Sequence, residues 1–489
     1  MKGTLAAAAI LVCAFASTAG SKGPQPAKLR KINVVALDAQ GQPVTGLTSA
    51  DFQLFEDGKP RDIAFFRFTG DRARLAKPGP HEYSNRAGAA FHATVVLIDL
   101  LTARIMSDAM VGREVSDSLK NLESSEGLYL YIMTSRGELY PIHPLPEPDT
   151  EAPPGAEPWT RNIASMLQTA LNGLIGLKPV DDRDIKYRFD LTSNALRDLG
   201  ARMALVSGRK NLVWVTHGIP LVGFSLSTQS RLDFTKPLRW LCEELEQAQI
   251  VVYTVDQSAA GAGAAVGTYS VESLEEYTGI TGGRSFSSDS AGDAIRKARS
   301  DSRGNYEIAY YPAVLNSDWK HHKIRVTCGR KEVRLQTEQG FYAVSPPVSQ
   351  AALVPIAFHT RELPVEVEAA VHSPFDATDI GLRASVSPDP IDKPLVDVHI
   401  DGADLLPRPT RDPEAGKVSV AFVSYGDGKQ QASPPILVSL TPEQFAAAAQ
   451  GEIGLREAIP IAPAIRRVRV IVFDAALGAV GSVTIPIQH

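Results

Sequence analysis

Along the first seventy residues apolar positions alternate with polar ones. INVVALDAQGQPVTGL predicts a strand, an Ala-Gln-Gly-Gln turn and a second short strand, and FQLFEDGKPRDIAFFRF predicts a hairpin turning on Asp57-Gly58. The apolar face they share, with Val35, Leu37, Phe52, Leu54 and Phe65, needs a partner sheet. Residues 71–91 are polar and read as a linker. From residue 92 the pattern changes. The continuous apolar runs VVLIDL, LYLYIMTS, NLVWVTHGIP and IVVYTVD, and then GRSF, are separated by stretches of helical period. Those stretches lie near 107–122, 159–171, 193–206, the Cys242 region, 271–278 and 291–302. Buried runs alternating with amphipathic helices suit a parallel sheet covered on both faces.

Beyond residue 304, NYEIAYYP, HKIRVTC and EVRLQTEQGFYAV return to period two and are expected to pair with the first strands. SPPVSQ at 345–350 is a joint, and from about 360 every segment, LPVEVEAAV included, reads as strand or turn. The expected fold class is therefore α/β. A doubly wound, mostly parallel, Rossmann-like sheet over 92–304 is inserted in a small β-sandwich built from 29–70 and 305–345, and a C-terminal all-β sandwich spans 346–489. The insert PLPEPDTEAPPGAEP at 144–158 reads as an unpacked surface loop.

With 489 residues, room exists for about two or three cores. MKGTLAAAAILVCAFASTAG has an early lysine, a short apolar run and small residues at Ala16 and Ala19, so 1–19 reads as a secretory signal peptide, cleaved after Ala16 or Ala19. The run is too short to span a bilayer, and no other stretch predicts a transmembrane segment. Export to the periplasm or beyond follows. Cys13 offers a minor route to lipid anchoring, but Val12 stands where a lipobox has Gly or Ala. A net charge of −5 leaves no electrostatic footprint for nucleic acid. Cys242, on the apolar stripe of a helix, and Cys328, on the inward face of a strand, read as buried hydrophobes rather than a disulfide or metal pair.

VVLIDLLTAR, then TSNAL, then RKNLVWVTHGIPL resembles a von Willebrand factor A domain. The flanks VVALDAQGQPVTGLTSADFQLFEDGKPRDIAFFRF, TGGRSF, YEIAYYP and KIRVTCGRKEVRLQTEQGFYAV are similar to the VWFA-related Acidobacterial domain proteins, over roughly residues 30–345. The tail RRVRVIVFDAALGAVGSVTIPI is similar to the final sandwiches of that family. The resemblance implies an A-domain-like middle unit and a secreted or periplasmic adhesion or protein-interaction module without established enzymatic activity. It also implies where a metal-ion-dependent adhesion site would stand: Asp-x-Ser-x-Ser after the first strand, a threonine in a second loop and an aspartate in a third. Asp99 matches the first position. Leu101 and Ala103 fill the serine positions and offer no oxygen, Thr192 stands for the threonine, and His217 replaces the last aspartate. A hard cation needs oxygen ligands and imidazole is a poor one, so the expectation is a degenerate site that holds no metal. Thr102 and Arg104 are left to supply polar contacts there, although a threonine at a helix start is commonly a cap.

Weaker strings add little. GAGAAVG at 261–267 has the wrong spacing for a dinucleotide fingerprint, GFSLS around Ser225 lacks the last glycine of a nucleophile elbow, and HEYSN at 81–85 lacks the second histidine of a zinc helix. His321 and His322 read as solvated turn residues. The expected function is non-enzymatic recognition of a protein partner, without cofactor or metal. Candidate binding positions are Asp99, Thr102, Thr192 and His217, with loops 144–158 and 257–269 supplying specificity. The competing expectation is a hydrolase at the carboxyl edge of the sheet, metal-dependent or built on a Ser193–His217–Asp99 triad.

Overall fold

In the computed structural model the described residues are 29–70, 79, 81–86, 92–102, 115, 127–150, 161–174, 185–219, 221–225, 230–256, 267–286, 291–313, 318–343, 364–387, 395–406, 415–426, 429–432, 436–441, 443–444, 451–459 and 464–487. The leader, with Cys13, lies outside them, as do Ala103, Arg104, most of the stretch 107–122, residues 151–158 of the proline-rich insert, most of GAGAAVG and the SPPVSQ joint.

Thr94–Asp99 is buried at every position, as an inner strand with both faces covered must be. Lys210–Thr216 and Leu128–Met133 flank it, both parallel. Ile250–Asp256 and then Ser285–Phe286 continue the sheet outward beyond Lys210–Thr216. At the other edge Leu139–His143 runs antiparallel to Leu128–Met133. Alternate side chains feed two cores. Val95, Leu97, Leu212, Trp214 and Val252 pack with residues of the helices Ile185–Ala204, Thr235–Gln247 and Gly267–Thr281. Val96, Ile98, Val213 and Val215 face the helices Arg161–Leu174 and Ala291–Arg303. In Thr235–Gln247 the spacing of Leu238, Leu241, Cys242 and Leu245 puts all four on the inner side, each at most 1% exposed. The Asp233 carboxylate accepts the free N–H of Thr235 at 2.9 Å and so starts that helix.

Two four-stranded antiparallel sheets enclose a second region. One has the order Arg334–Gln336, Arg30–Leu37, Asn305–Tyr310, Phe65–Phe68, and the other Gly340–Tyr342, His321–Cys328, Phe52–Glu56, Lys59–Arg61. Between them lie Ile32, Val34, Phe52, Leu54, Tyr306 and Ile308. Asp57 and Gly58 both take positive φ, 49° and 77°, at the tight reversal between Phe52–Glu56 and Lys59–Arg61. The second short strand expected after Leu37 reduces to a single bridge, Leu37 with Pro43.

A further pair of antiparallel sheets follows. Lys417–Gly426, Arg467–Asp474 and Ala479–Pro486 form the centre of one, and Leu382–Ser387, Leu395–Asp401 and Glu452–Ala458 of the other. Val396, Val398, Val420, Val470 and Val472 fill the space between. Glu82–Ser84 pairs with Leu382–Ser387 as its edge strand, so part of the expected linker belongs to this sandwich. Arg86 fixes it there, reaching Asp404 at 2.6 Å and Asp401 at 3.1 Å.

The expectation of an α/β, doubly wound, mostly parallel fold is corrected by these sheets. Among the described residues strand is 43% and helix 26%, and five of the six sheets are antiparallel. The six-stranded sheet is itself mixed. Its last strand turns back because only Thr134–Glu138 links it to Leu128–Met133, far too few residues for a parallel crossover. Gly137, at φ 77°, closes that turn.

Other expectations shift locally. Val365–His372 is a helix, not a strand. Its alternating letters conceal an i, i+3, i+4 set, Val367, Ala370 and Val371, which packs on Ile471 and Phe473. Acidic Glu366 and Glu368 sit in its first turn, where the helix dipole favours them. Leu145, within the insert expected not to pack, is 4% exposed and its N–H donates to the Tyr131 hydroxyl at 2.8 Å. His322 is buried in a strand, with ring nitrogens 2.9 Å from Asp57 Oδ2 and 3.2 Å from Asp318 Oδ1. Cys242 and Cys328 are free thiols, the first fully buried and the second half-buried. No helix among the described residues is long and apolar enough to cross a membrane.

Candidate functional site

Register brings the site together. Ile98 pairs with Val215 across the two central strands, so the last residues, Asp99 and Thr216, end side by side. Both follow side chains that face the Trp214 core, Leu97 and Trp214 themselves, and alternation sends them to that side of the sheet. Asp99 is 3% exposed, and a bare carboxylate at that depth would be costly.

The cost is offset by four donors. Oδ1 accepts the backbone N–H of Leu101 at 2.9 Å and of Thr102 at 3.1 Å. Oδ2 accepts the hydroxyls of Thr102 at 2.8 Å and Thr216 at 2.7 Å. The two hydroxyl oxygens are 3.0 Å apart. The backbone N–H of Gly218 donates to Thr216 Oγ1 at 3.0 Å, and that of His217 to Thr102 Oγ1 at 3.3 Å. A carboxylate has about four lone-pair directions, so this one is filled by its own chain. The chemistry is that of a clasp: it fixes the loop after Asp99 against the loop after Thr216.

The four positions singled out from the sequence do not converge equally. Asp99 and Thr102 are bonded directly, and His217 joins through its backbone. Thr192 lies on helix Ile185–Ala204, fully buried, and its hydroxyl makes no hydrogen bond among the described residues. The residue that sequence reasoning missed is Thr216. Its signal was present in the parallel endings of VVLID and NLVWVT, two runs that both stop on a polar side chain.

The arrangement does not assemble a triad. Both oxygens of Asp99 bond to groups other than an imidazole, and the Ser193 hydroxyl, 4% exposed, has no hydrogen-bond partner among the described residues, so none of them draws its proton away. Ser225 pairs with Ser230 in the hairpin Val222–Ser225/Ser230–Asp233 and so does not stand at a strand-to-helix elbow. Burial holds the Cys242 thiol well above its ordinary pKa, which keeps it protonated and unreactive. Among the described residues no three His, Cys, Asp or Glu side chains gather as a metal site.

No family model matches the chain, and no curated protein does.

Proposed function

We propose that the protein is an exported, non-enzymatic recognition protein that binds another protein without a metal ion. The observation that carries this reading is the complete internal satisfaction of Asp99. In an adhesion site of the kind the sequence resembles, the carboxylate and neighbouring hydroxyls hold a cation, and the partner's carboxylate completes its shell. Here Leu101 supplies only a backbone N–H, and the Thr102 and Thr216 hydroxyls both lie within hydrogen-bond distance of Asp99 Oδ2. Each hydroxyl oxygen also accepts a backbone N–H, Thr102 Oγ1 from His217 and Thr216 Oγ1 from Gly218, so about one lone pair on each is left for a cation. The clasp therefore serves as a rigid end to the sheet, on which neighbouring loops are presented. The similarity of residues 30–345 to the VWFA-related Acidobacterial domain proteins, and the leader-like first 19 residues, supply the exported setting.

The test is affinity capture from envelope extracts with the mature protein as bait, run in parallel with magnesium and with EDTA. The same partner set is expected in both. Loss of every partner under EDTA would sink the reading.

A further inference from the structure

We propose that His322 is a pH-sensitive latch: as an imidazolium it holds residues 318–320, and with them Trp319, against strand His321–Cys328, and on losing its proton it lets that segment go. The device goes beyond the recognition reading and uses none of Asp99, Thr102, Thr192 and His217. It governs whether Trp319 keeps its place at the rim of a groove of about 670 Å³.

Geometry fixes the protonation state. His322 is buried, and both of its ring nitrogens stand against carboxylates, Nδ1 at 2.9 Å from Asp57 Oδ2 and Nε2 at 3.2 Å from Asp318 Oδ1. A neutral imidazole has one N–H and one lone pair, so it would turn that lone pair on one of the two anions. Only the imidazolium donates to both. The ring also stacks on Phe341, centroids 5.1 Å apart, and the Arg30 guanidinium lies 4.2 Å from the centroid of Phe341. Lys320 and Lys323 flank His322 in sequence, and both are exposed, as is Lys59 beyond the turn. His321 points to the other side by alternation, where its ring meets Tyr342 near Glu276 and Arg239. Burial works against a charge on His322, but the hydrogen bonds to Asp57 and Asp318 outweigh it and raise the group above its ordinary 6.5.

Which contact yields follows from how each aspartate is held. Asp57 is built into the hairpin: its N–H donates to the Lys323 carbonyl and its Oδ1 accepts the Lys323 N–H, both at 2.9 Å. Asp318 makes the longer bond to the ring, and its Oδ1 also accepts the Lys320 N–H at 2.9 Å, so it keeps a donor when the imidazole withdraws. Beside it Trp319 is 40% exposed and has φ 58°, a left-handed conformation that a bulky residue adopts only under constraint. The other backbone ties of this segment among the described residues run to Ala343, whose carbonyl accepts the N–H groups of Asp318 and Trp319 at 3.0 and 3.1 Å and whose N–H reaches the Lys320 carbonyl at 3.4 Å. The Lys236 ammonium lies 5.5 Å from the indole. With the imidazolium gone, the strain at Trp319 favours release. A raised histidine contributes fully below 6.5, and its contribution is lost as pH rises through the folded value, so the latch is closed in acid and open above.

The experiment uses the full chain carrying fluorotryptophan, with fluorine NMR of the indoles and carbon NMR of the histidine rings recorded from about pH 5 to 9. Trp319→Phe identifies the Trp319 signal among those of the four tryptophans, and His322→Gln identifies the ring. His322 is expected to titrate with a midpoint above 6.5, and the Trp319 signal to shift and narrow with the same midpoint as the segment gains motion. Asp318→Asn, at an exposed position, should move both midpoints down together. In His322→Gln the Trp319 transition should vanish, while His321→Gln should leave it in place. A His322 midpoint at or below 6.5, a Trp319 signal constant through that titration, or a Trp319 transition that survives in His322→Gln would each overturn the latch. Should His322→Gln fail to fold, Asp318→Asn decides alone: midpoints that move together support the latch, and a Trp319 midpoint that stays behind refutes it.

Discussion

The Thr216 hydroxyl donates to Asp99 Oδ2 at 2.7 Å, joining the ends of two parallel strands that are 117 residues apart in sequence. Removing that donor leaves a buried carboxylate one bond short. Thr216→Val keeps the shape of the side chain and should cost about 1–3 kcal/mol of unfolding free energy, while Thr216→Ser should recover most of it. Urea denaturation measures both. A Val variant as stable as the parent would mean that the hydroxyl is dispensable.

Metal should add nothing to this site. A ligand that binds only the native state stabilises it by about 2.7 kcal/mol at a hundred times its dissociation constant. Thermal unfolding is expected to be the same in millimolar magnesium and in EDTA, with no stoichiometric heat on titration. Magnesium uptake that vanishes in Asp99→Ala would contradict the clasp.

A second polar cluster gives the molecule a pH dependence. Arg30 lies 3.4 Å from Glu243, 3.1 Å from Glu246 and 3.4 Å from Glu338, all four buried or nearly so. Tyr310 and the N–H of Tyr342 also face it. One guanidinium cannot neutralise three carboxylates, and burial pushes Glu243 up to about 7, with Glu246 and Glu338 also raised. A raised carboxyl stabilises the fold fully below its unfolded value of 4.5, and that contribution is lost as pH rises through about 7. Unfolding free energy should therefore fall from this cluster between those two values. Glu243→Gln is expected to flatten the slope there, and an unaltered slope would remove the assignment.

Glu307 behaves in the opposite sense. Burial alone would raise it, but Arg67 at 2.7 Å, with Lys31 beyond, holds it down to about 2. Its contribution is present above 4.5 and lost as pH falls through about 2. Arg67 also donates to the carbonyl of Asp379, so it ties the first sandwich to the C-terminal one. Arg67→Met should cost about 3–5 kcal/mol by stranding Glu307, and Arg67→Met with Glu307→Leu should cost much less. Chemical denaturation of the single and double variants decides this, and equal losses would show that the guanidinium acts through packing alone.

The edge strand Glu82–Ser84 should be needed by the sandwich it joins. Tyr83 pairs with Ala384 two residues before Asn85, whose N–H donates to the Leu382 carbonyl, so by alternation the Tyr83 N–H faces the sheet and proline would remove that donor. Tyr83→Pro is expected to speed hydrogen exchange in Leu382–Ser387 while leaving Thr94–Asp99 protected. Unchanged exchange in Leu382–Ser387 would mean that the added strand contributes no order.

Some of this was legible in the letters. The Asp57-Gly58 reversal follows from positive φ at two adjacent residues, and the stripe of Leu238, Leu241, Cys242 and Leu245 follows from helical period, because both are properties of a few neighbouring residues. The helix Val365–His372 was misread because VEVEAAV satisfies two periods at once, and only Ile471 and Phe473 on another strand choose between them. Likewise Glu82–Ser84 reads as a linker because one aromatic, Tyr83, between two polar residues sets no hydrophobic period, and the segment gains its order from the ladder and core it joins.

For the candidate site, the sequence by itself determined that the two serine positions after Asp99 carry Leu101 and Ala103, which have no side-chain oxygen to give. Whether Asp99 was left bare or satisfied, only the tertiary structure decided, since its fourth donor comes from Thr216 through strand register. The same holds for the chain as a whole. Local pattern marks where strands lie, but which strands pair, and in which direction, depends on distant surfaces that must be buried together.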